Sequence, residues 1–190
     1  MISGFDIIII GKGLVGSAAA KYLCKSNKRV AIIGADEPDG NNSALVYASH
    51  YDEARVQRIV GKDEVWTRLN FDSVQQYATI QKESGIDFHK AVGCLYVNPY
   101  GEDDYLRNFP TQAQKFNIPY SLFETKKDNC YSGLCFPERS VGVFEQSPSG
   151  YINPRLLIKA QLEIFKKQGG VIFSDTIVDV SFTSDNVFIL

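Results

Sequence analysis

The feature that most constrains the fold is a glycine-rich segment between two short apolar stretches near the start of the chain. Residues 7–10 are four consecutive isoleucines, and the pattern Gly-x-Gly-x-x-Gly follows over residues 11–16. Residues 17–23 are small and then amphipathic, and residues 30–33 are again apolar. A β-branched run too short for a helix favours a parallel strand buried on both faces. The segment therefore predicts a strand, a helix and a second strand, the βαβ unit of a dinucleotide-binding domain.

Each glycine of the pattern has a specific use in such a unit. Gly11 permits the tight turn, Gly13 lets a pyrophosphate approach the backbone, and Gly16 allows the helix to pack closely on the strand. The N–H groups of Leu14 and Val15, at the positive end of the helix dipole, would then face the phosphates. The alternative is a glycine-rich turn in an α/β domain that binds nothing.

The acidic residue that usually completes this motif is displaced. It normally ends the second strand and binds the adenosine ribose, but Gly34 occupies that register and the first acid is Asp36. Either Asp36 reaches back to the ribose, or the backbone around Gly34 and Ala35 makes the contact alone. A 2′-phosphate would require a nearby arginine, and Arg29 lies at the other end of the strand, which argues against NADP.

Composition excludes several classes of function. The chain has 190 residues, a net charge of −2 and a pI near 5.7, which gives no electrostatic basis for binding nucleic acid or an anionic membrane. We expect neither a secretory signal nor a membrane span, because the apolar run after Asp6 is short and no apolar stretch reaches roughly 20 residues. The four cysteines lack the spacing of a metal site, and we expect them to be reduced in a cytoplasmic protein. They are Cys24, Cys94, Cys130 and Cys135.

The segment after residue 48 contains the second group of candidate site residues. Asp52 could cap a helix on which Arg55 and Arg58, three residues apart, share one face. Two arginines on a helix face are usually a solvated charge pair. Beside a cofactor they become candidates for binding a carboxylate, because the guanidinium fork matches that anion.

The remaining chain alternates helix and strand patterns. Trp66 is expected to be a core residue, His89 an ordinary strand residue, and Pro110 to divide or kink its helix. Asn153 and Pro154 give the clearest helix start in the sequence. The predicted helices are 63–84, 102–117 and 154–168, and the predicted strands are 88–97, 134–136, 141–145, 171–173, 177–182 and 187–190.

This order predicts an α/β nucleotide-binding domain interrupted by a second domain, with the last helix returning to the first sheet. We assign residues 1–85 to the first part of the nucleotide-binding domain, 86–146 to an α+β second domain, and 147–190 to the return, incomplete at the C-terminus.

The interrupted order and four local segments resemble the FAD-dependent amine and amino acid oxidoreductases of the D-amino-acid-oxidase type. Within that family, the chain looks most like monomeric sarcosine oxidase and glycine oxidase. The matching segments are Phe5–Gly16, Ser49-His50 followed by Arg55-x-x-Arg58, Gly93–Val97, and Gly150–Leu157 leading to Gly169-Gly170-Val171 and Thr176-Ile177-Val178.

The resemblance implies a Rossmann-like FAD-binding domain of the glutathione-reductase type and a substrate domain. It implies that residues 11–16 hold the FAD pyrophosphate, residues 34–36 the adenosine ribose, and the backbone of Val178 the adenine. The enzyme would oxidise the C–N bond of an amino acid or N-methyl amino acid by hydride transfer to the flavin, with no metal.

For the flavin end, the resemblance implies that Ser49 and His50 lie along the flavin and that Arg55 approaches its ring. Arg58 would bind the substrate carboxylate, so His50, Arg55 and Arg58 are the candidate catalytic residues. The likeness covers only the N-terminal half of such an enzyme. We therefore expect a fragment, or one chain of a split enzyme, that is inactive alone and needs a C-terminal half or companion chain.

Two other functions remain open from the sequence. One is a non-catalytic FAD- or nucleotide-binding subunit that folds with a partner, which the apolar residues 187–190 favour. The other is an NAD-dependent dehydrogenase, which fits the glycine pattern but not the long insertion.

Overall fold

The protein is described here by a computed structural model that covers residues 4–38, 50–124, 130–131, 133–182 and 187–189. These residues form two compact units whose chain segments alternate. Unit 1 takes its described residues from 1–53, 80–88 and 153–190, and unit 2 from 54–79 and 89–152.

The elements follow one another as short strands and four α-helices within the described residues. In chain order they are β1 (Ile7–Ile10), α1 (Leu14–Leu23), a 3₁₀ turn (Cys24–Ser26), β2 (Val30–Gly34), β3 (Arg55–Gln57), α2 (Glu64–Ser84), β4 (His89–Lys90), β5 (Cys94–Asn98), α3 (Asp104–Lys115), β6 (Tyr120–Glu124), β7 (Cys130–Tyr131), β8 (Leu134–Cys135), β9 (Val141–Glu145), β10 (Gly150–Ile152), α4 (Pro154–Lys167), β11 (Val171–Ser174), β12 (Val180–Phe182) and β13 (Val187–Ile189).

Unit 1 contains a parallel sheet in the order β1-β2-β11. Ile7 lies opposite Val30 in the register of β1 on β2, and Val171 lies opposite Ala31 in the register of β11 on β2. The last helix and strand therefore return to the first sheet, as the sequence predicts. A separate antiparallel pair, β12 with β13, also belongs to this unit.

Helices α1 and α4 pack against each other in unit 1, and a small apolar core holds them to the sheet. Ala20, Val30, Ile32 and Phe165 are its fully buried members. The start of α4 is as predicted, because the Asn153 side chain accepts a hydrogen bond from the backbone N–H of Leu156 at 3.0 Å and proline follows at the first helical position.

Unit 2 is built around two three-stranded antiparallel sheets, β3-β10-β4 and β5-β9-β6, with a hairpin of β7 and β8. Its core joins the loop after β3, helices α2 and α3, and strand β9. The buried core residues are Ile59, Val60, Val74, Leu106, Phe109, Ala113, Phe116, Ile118 and Val143.

Two local predictions are wrong in unit 2. The predicted helix at Arg55 is strand β3, because its backbone pairs with Tyr151 and neighbouring residues of β10. Trp66 is not a core residue, since its side chain is 51% exposed. The buried positions of α2 include Thr67 and Val74, and Trp66 does not lie on that buried face of the helix.

Helix α3 is continuous through Pro110, so the predicted division is also wrong. The proline removes only one backbone donor. Asp103 caps the helix by accepting from Leu106 N–H at 2.8 Å, and the buried stripe of Leu106, Phe109 and Ala113 holds it to the core. His89 lies in β4, as predicted.

The expectation that all cysteines are reduced is wrong for Cys135. This residue is disulfide-bonded, while Cys24 and Cys94 carry free thiols. Its strand β8 pairs with β7, where Cys130 lies directly opposite on the backbone. The spacing of the cysteines in the sequence did not indicate that Cys135 is disulfide-bonded. In the part of the chain that the structure covers, no helix combines the length and apolarity needed to cross a membrane.

Candidate cofactor site

The glycine pattern forms the turn between β1 and α1, and two of its glycines are sterically required. Gly11 has a φ of +95°, and its N–H donates to the carbonyl oxygen of Ile33 at 2.7 Å. A Cβ placed on Gly16 would lie 1.8 Å from the carbonyl oxygen of Gly11. The first turn of α1 can approach the strand this closely only because position 16 has no side chain.

The start of α1 presents its backbone rather than side chains. Gly13 is the N-cap residue and supplies no side-chain cap, and the first turn contains no acidic residue. The hydroxyl of Ser17 donates back to the Gly13 carbonyl at 2.8 Å, and the side chain of Val15 is exposed. An uncapped, exposed helix start with its N–H groups outward fits the pyrophosphate of a dinucleotide.

Beyond the turn, Gly34 ends β2 in the register predicted for the ribose-binding acid. A Cβ on Gly34 would lie 2.8 Å from the backbone nitrogen of Lys12 and 2.9 Å from its Cγ. Lys12 therefore lies across the position where a side chain at residue 34 would be. Its ammonium donates to the Asp36 carboxylate and, at 3.0 Å, to the hydroxyl of Ser174.

Asp36 is the acid of this group and is open to ligands. Its side chain is 70% exposed, whereas that of Lys12 is 8% exposed. The hydroxyl of Ser174 donates to Asp36 Oδ1 at 2.8 Å. Hydrogen bonds from Lys12 and Ser174 lower the pKa of Asp36, so it is a carboxylate at neutral pH.

A cavity of about 170 Å³ in unit 1 brings several of the predicted cofactor residues together. Ala35, Asp36 and His50 all line it, and His50 is buried. One wall is Arg155, whose guanidinium pairs with Glu37. The remaining lining residues are Lys12, Glu37, Ile158, Lys159 and Leu162.

Other predicted cofactor residues do not line this cavity, and Val178 is one of them. Val178 lies between β11 and β12, outside a regular strand, and its side chain is 81% exposed. The adenine contact assigned to its backbone stays a prediction. Ser49 lies outside the described residues.

The two candidate arginines belong to unit 2 and have different settings. Arg55 is half-buried in β3, opposite Ile152 of β10. Arg58 follows the strand and is exposed, with its guanidinium carbon 4.7 Å from the centre of the Tyr105 ring. The guanidinium also hydrogen-bonds Tyr105, and because it is exposed and carries five donors it can still donate to an anion.

A buried carboxylate fixes the backbone just after Arg58. Glu145 is 2% exposed and accepts from the N–H groups of Ile59 at 2.5 Å and Val60 at 3.1 Å. Ser149 donates its hydroxyl to the same carboxylate. Sequence reasoning missed Glu145 because it reads as the end of an ordinary strand, 87 positions after Arg58.

Tyr105 supports the same loop from α3. Its hydroxyl donates to the carbonyl oxygen of Val60 at 3.1 Å, and burial raises its pKa. Burial likewise raises the pKa of the Cys94 thiol, which argues against a reactive thiolate there.

Lys12 and Ser174 were not predicted from the sequence either. The signal for Lys12 was a lysine inside the glycine pattern of a chain that lacks the usual acid at residue 34. No cluster of metal-ligating side chains occurs among the described residues, 4–38, 50–124 and the later ranges.

The parallel sheet, the glycine turn and the uncapped helix start together define a dinucleotide-binding α/β protein. Residues 6–189 match the family described as DAO, FAD dependent oxidoreductase. The chain belongs to that family. The family is described as FAD dependent, so the predicted fold class, family and cofactor are confirmed.

Individual relatives agree with the family match. Monomeric sarcosine oxidase from Bacillus sp. (strain B-0618) is 26% identical over 190 residues, which cover 98% of this chain and 47% of that protein. N-methyl-L-tryptophan oxidase from Yersinia pestis (strain Pestoides F) is 26% identical over 173 residues, covering 90% and 45%. The structure of glycine oxidase from Geobacillus kaustophilus superposes with a TM-score of 0.65 at 15% identity, covering 97% and 50%. The chain thus spans about half the length of the curated relatives it matches.

Proposed function

We propose that this chain provides the FAD site and part of the substrate site of an enzyme that oxidises the C–N bond of an amino acid or N-methyl amino acid. The observation that carries the proposal is the glycine turn leading into an uncapped helix, in a chain of the FAD-dependent family. The flavin, when bound, supplies the hydride acceptor. The protein's contribution is to hold the cofactor and to orient the substrate.

Most of the residues assigned to the cofactor belong to unit 1. The backbone of residues 11–16 would bind the pyrophosphate, and residues 34–36 the adenosine ribose. His50, which lines the same cavity as Asp36, would lie along the cofactor together with Ser49. Arg55 is assigned to the flavin ring and the backbone of Val178 to the adenine. The domain boundaries at residues 85 and 146 stay a prediction.

Arg58 is assigned to the substrate carboxylate. Its guanidinium is exposed, rests on the Tyr105 ring and follows a loop whose backbone Glu145 fixes. A planar fork of donors matches a carboxylate in two-point contact, which a lysine cannot reproduce. Arg58→Lys should therefore raise KM for carboxylate substrates far more than for neutral amines.

A matched control exists for this substitution. Arg68 is also exposed and also lies 4.7 Å from a ring centre, that of Phe116. Arg68→Lys should leave both KM values unchanged. An equal rise in KM for carboxylate and neutral substrates in Arg58→Lys would remove Arg58 from the substrate site.

The first experiment is a visible absorbance spectrum of the purified 190-residue chain and of the longest form of the protein that its gene encodes. A yellow protein whose colour is bleached by an amino acid or N-methyl amino acid supports the proposal. A colourless protein that binds NAD would overturn it in favour of a nicotinamide-dependent dehydrogenase. A yellow protein that no amine bleaches would favour the non-catalytic flavin-binding subunit.

The location and partners are also part of the proposal. We infer a small-molecule amine or amino acid as ligand, with no nucleic acid or membrane partner, and a C-terminal half or companion chain as a possible protein partner. A cytoplasmic location stays a prediction. The disulfide at Cys135 argues against that location, because disulfides are rare in reducing compartments.

A further inference from the structure

The end of β2 lacks the acid expected there, and the residues around it show how the site can bind a ribose without it. Gly34 ends the strand, and Lys12 lies directly over it, with its Cγ 2.9 Å from the place of a Cβ at residue 34. A side chain at residue 34 and the observed path of Lys12 would therefore compete for the same space. The two positions are therefore coupled, and residue 34 is where the sequence departs from the usual motif.

Lys12 reaches beyond Gly34 to a carboxylate that belongs to the following loop. Its ammonium contacts Asp36 and Ser174, and Ser174 contacts Asp36, so the three polar groups form a closed triangle. The residues come from the glycine turn, the loop after β2 and the end of β11. Adjacent parallel strands place these segments at one edge of the sheet, the edge at which such sheets bind nucleotides.

The triangle leaves one carboxylate oxygen for a ligand. Both described hydrogen bonds to Asp36 go to Oδ1, from Lys12 and from Ser174. Asp36 is largely exposed and lines the cavity beside the glycine turn, whereas Lys12 is nearly buried. In an ordinary surface ion pair, both side chains are solvated. Here Lys12 is nearly buried and Asp36 is exposed, which fits a lysine that holds the carboxylate in position to accept a hydrogen bond.

We propose that Lys12 and Ser174 position Asp36 as the acceptor for the adenosine ribose hydroxyls, in place of the acid absent at residue 34. This inference rests on the proposed function, because it concerns the adenosine end of the FAD site. In this arrangement Asp36 is the ligand-binding residue, and Lys12 and Ser174 are positioning residues. Oδ2 accepts from a ribose hydroxyl while Oδ1 stays bonded to the lysine and the serine.

The test compares two probes that differ at the ribose alone. Apoprotein is titrated by calorimetry with ADP and with 2′-deoxy-ADP, and the ratio of their dissociation constants reports the ribose contact. A hydrogen bond to an ionised group is worth roughly a tenfold change in affinity. The unmodified protein should prefer ADP by about that factor. Asp36→Asn should bring the ratio close to one, and Lys12→Met and Ser174→Ala should lower it part of the way.

Lys166→Met is the matched control, because Lys166 also pairs with an acid, Glu163, but is not a lining residue of the cavity. Its ADP preference should stay at that of the unmodified protein. A purely structural role for Lys12 would weaken both probes equally and leave the ratio unchanged, which would overturn the positioning role. An unchanged ratio in Asp36→Asn would overturn the inference while leaving FAD binding intact. Failure of the unmodified protein to bind either ADP or FAD would instead overturn the proposed function.

Discussion

Two short backbone segments in this chain are held in place for binding, and they are held in opposite ways. The turn at residues 11–16 is fixed by its own glycines and by one backbone hydrogen bond to the neighbouring strand, from Gly11 to Ile33. The loop at residues 58–60 is fixed by the buried carboxylate of Glu145 and by the hydroxyl of Tyr105, both far away in sequence. Backbone geometry that requires glycine fixes residues 11–16, whereas buried side chains fix residues 58–60.

The difference explains which site could be found in the sequence. A turn made of backbone needs glycine at fixed spacing, and fixed spacing is visible as a motif. A loop held by a distant side chain leaves no local pattern. To distinguish these two ways of fixing the backbone, a side chain is removed in unit 2 and a side chain is added in unit 1.

The largest effect is expected from Glu145→Ala. The substitution leaves the buried N–H groups of Ile59 and Val60 without their acceptor, and each unpaired buried donor costs about 1–3 kcal/mol. We expect the free energy of unfolding to fall by roughly 3–5 kcal/mol in total. Urea denaturation followed by circular dichroism measures the change.

Two further variants sharpen this result. Glu145→Gln keeps one acceptor oxygen and should lose about half as much stability. Glu124→Ala, on the exposed edge of β6, should change stability by less than about 0.5 kcal/mol. If Glu145→Ala matched Glu124→Ala, the loop would not depend on the buried carboxylate.

The next effect is expected from Gly16→Ala. The new methyl group would lie 1.8 Å from the Gly11 carbonyl oxygen, so the helix must move away from the strand. Overpacking of this kind costs about 1–3 kcal/mol. The displaced N–H groups should also bind FAD at least tenfold more weakly, because helix-terminal contacts to phosphate depend on their direction. Quenching of free FAD fluorescence on binding measures the affinity.

Gly4→Ala is the control for this prediction. A Cβ at Gly4 would meet nothing within 4 Å, and that glycine does not have a positive φ. Its stability and FAD affinity should equal those of the unmodified protein. Normal FAD affinity in Gly16→Ala would show that the turn does not require its close helix packing.

A smaller and pH-dependent effect is expected from Asp103→Asn in unit 2. Burial acts to raise the pKa of Asp103, but hydrogen bonds from Tyr96, Leu106 N–H and Asn98 outweigh it and lower the pKa overall. A lowered folded-state pKa gives stability that is fully present above the unfolded value of about 3.9 and is lost as pH falls through the folded value. The substitution should cost about 1 kcal/mol at pH 7, the usual value for a helix cap.

The free energies of unfolding of the unmodified protein and of Asp103→Asn are measured across a range of pH. The stability difference between the unmodified protein and Asp103→Asn should shrink as the pH is lowered below about 4. Asp104→Asn is a useful control, since Asp104 is exposed and pairs with Arg107 within the same helix. A difference that stays constant down to acidic pH would mean that the charge of Asp103 does not contribute.

The sequence predicted unit 1 well because its signals are local. The isoleucine run, the glycine spacing and the Asn153-Pro154 helix start each reflect backbone geometry over a few residues. The strand at residues 55–57 was predicted as a helix because three residues carry no clear periodicity and the pairing with β10 decides the outcome. Glu145, Tyr105 and Ser174 could not be predicted, because their roles follow from long-range contacts.

The smallest effect is expected from Lys12→Met, and it tests whether the glycine turn is truly built from backbone. Lys12 lies within the turn, but its ammonium bonds to side chains outside it, those of Asp36 and Ser174. Removing an ion pair with one exposed partner costs about 1 kcal/mol or less, and methionine keeps the apolar stem that covers Gly34. Urea denaturation should therefore show a change well below that of Gly16→Ala, although the lysine is nearly buried. A loss as large as that of Gly16→Ala would mean that a side chain helps to hold the turn, and the contrast between the two binding segments would then be one of degree.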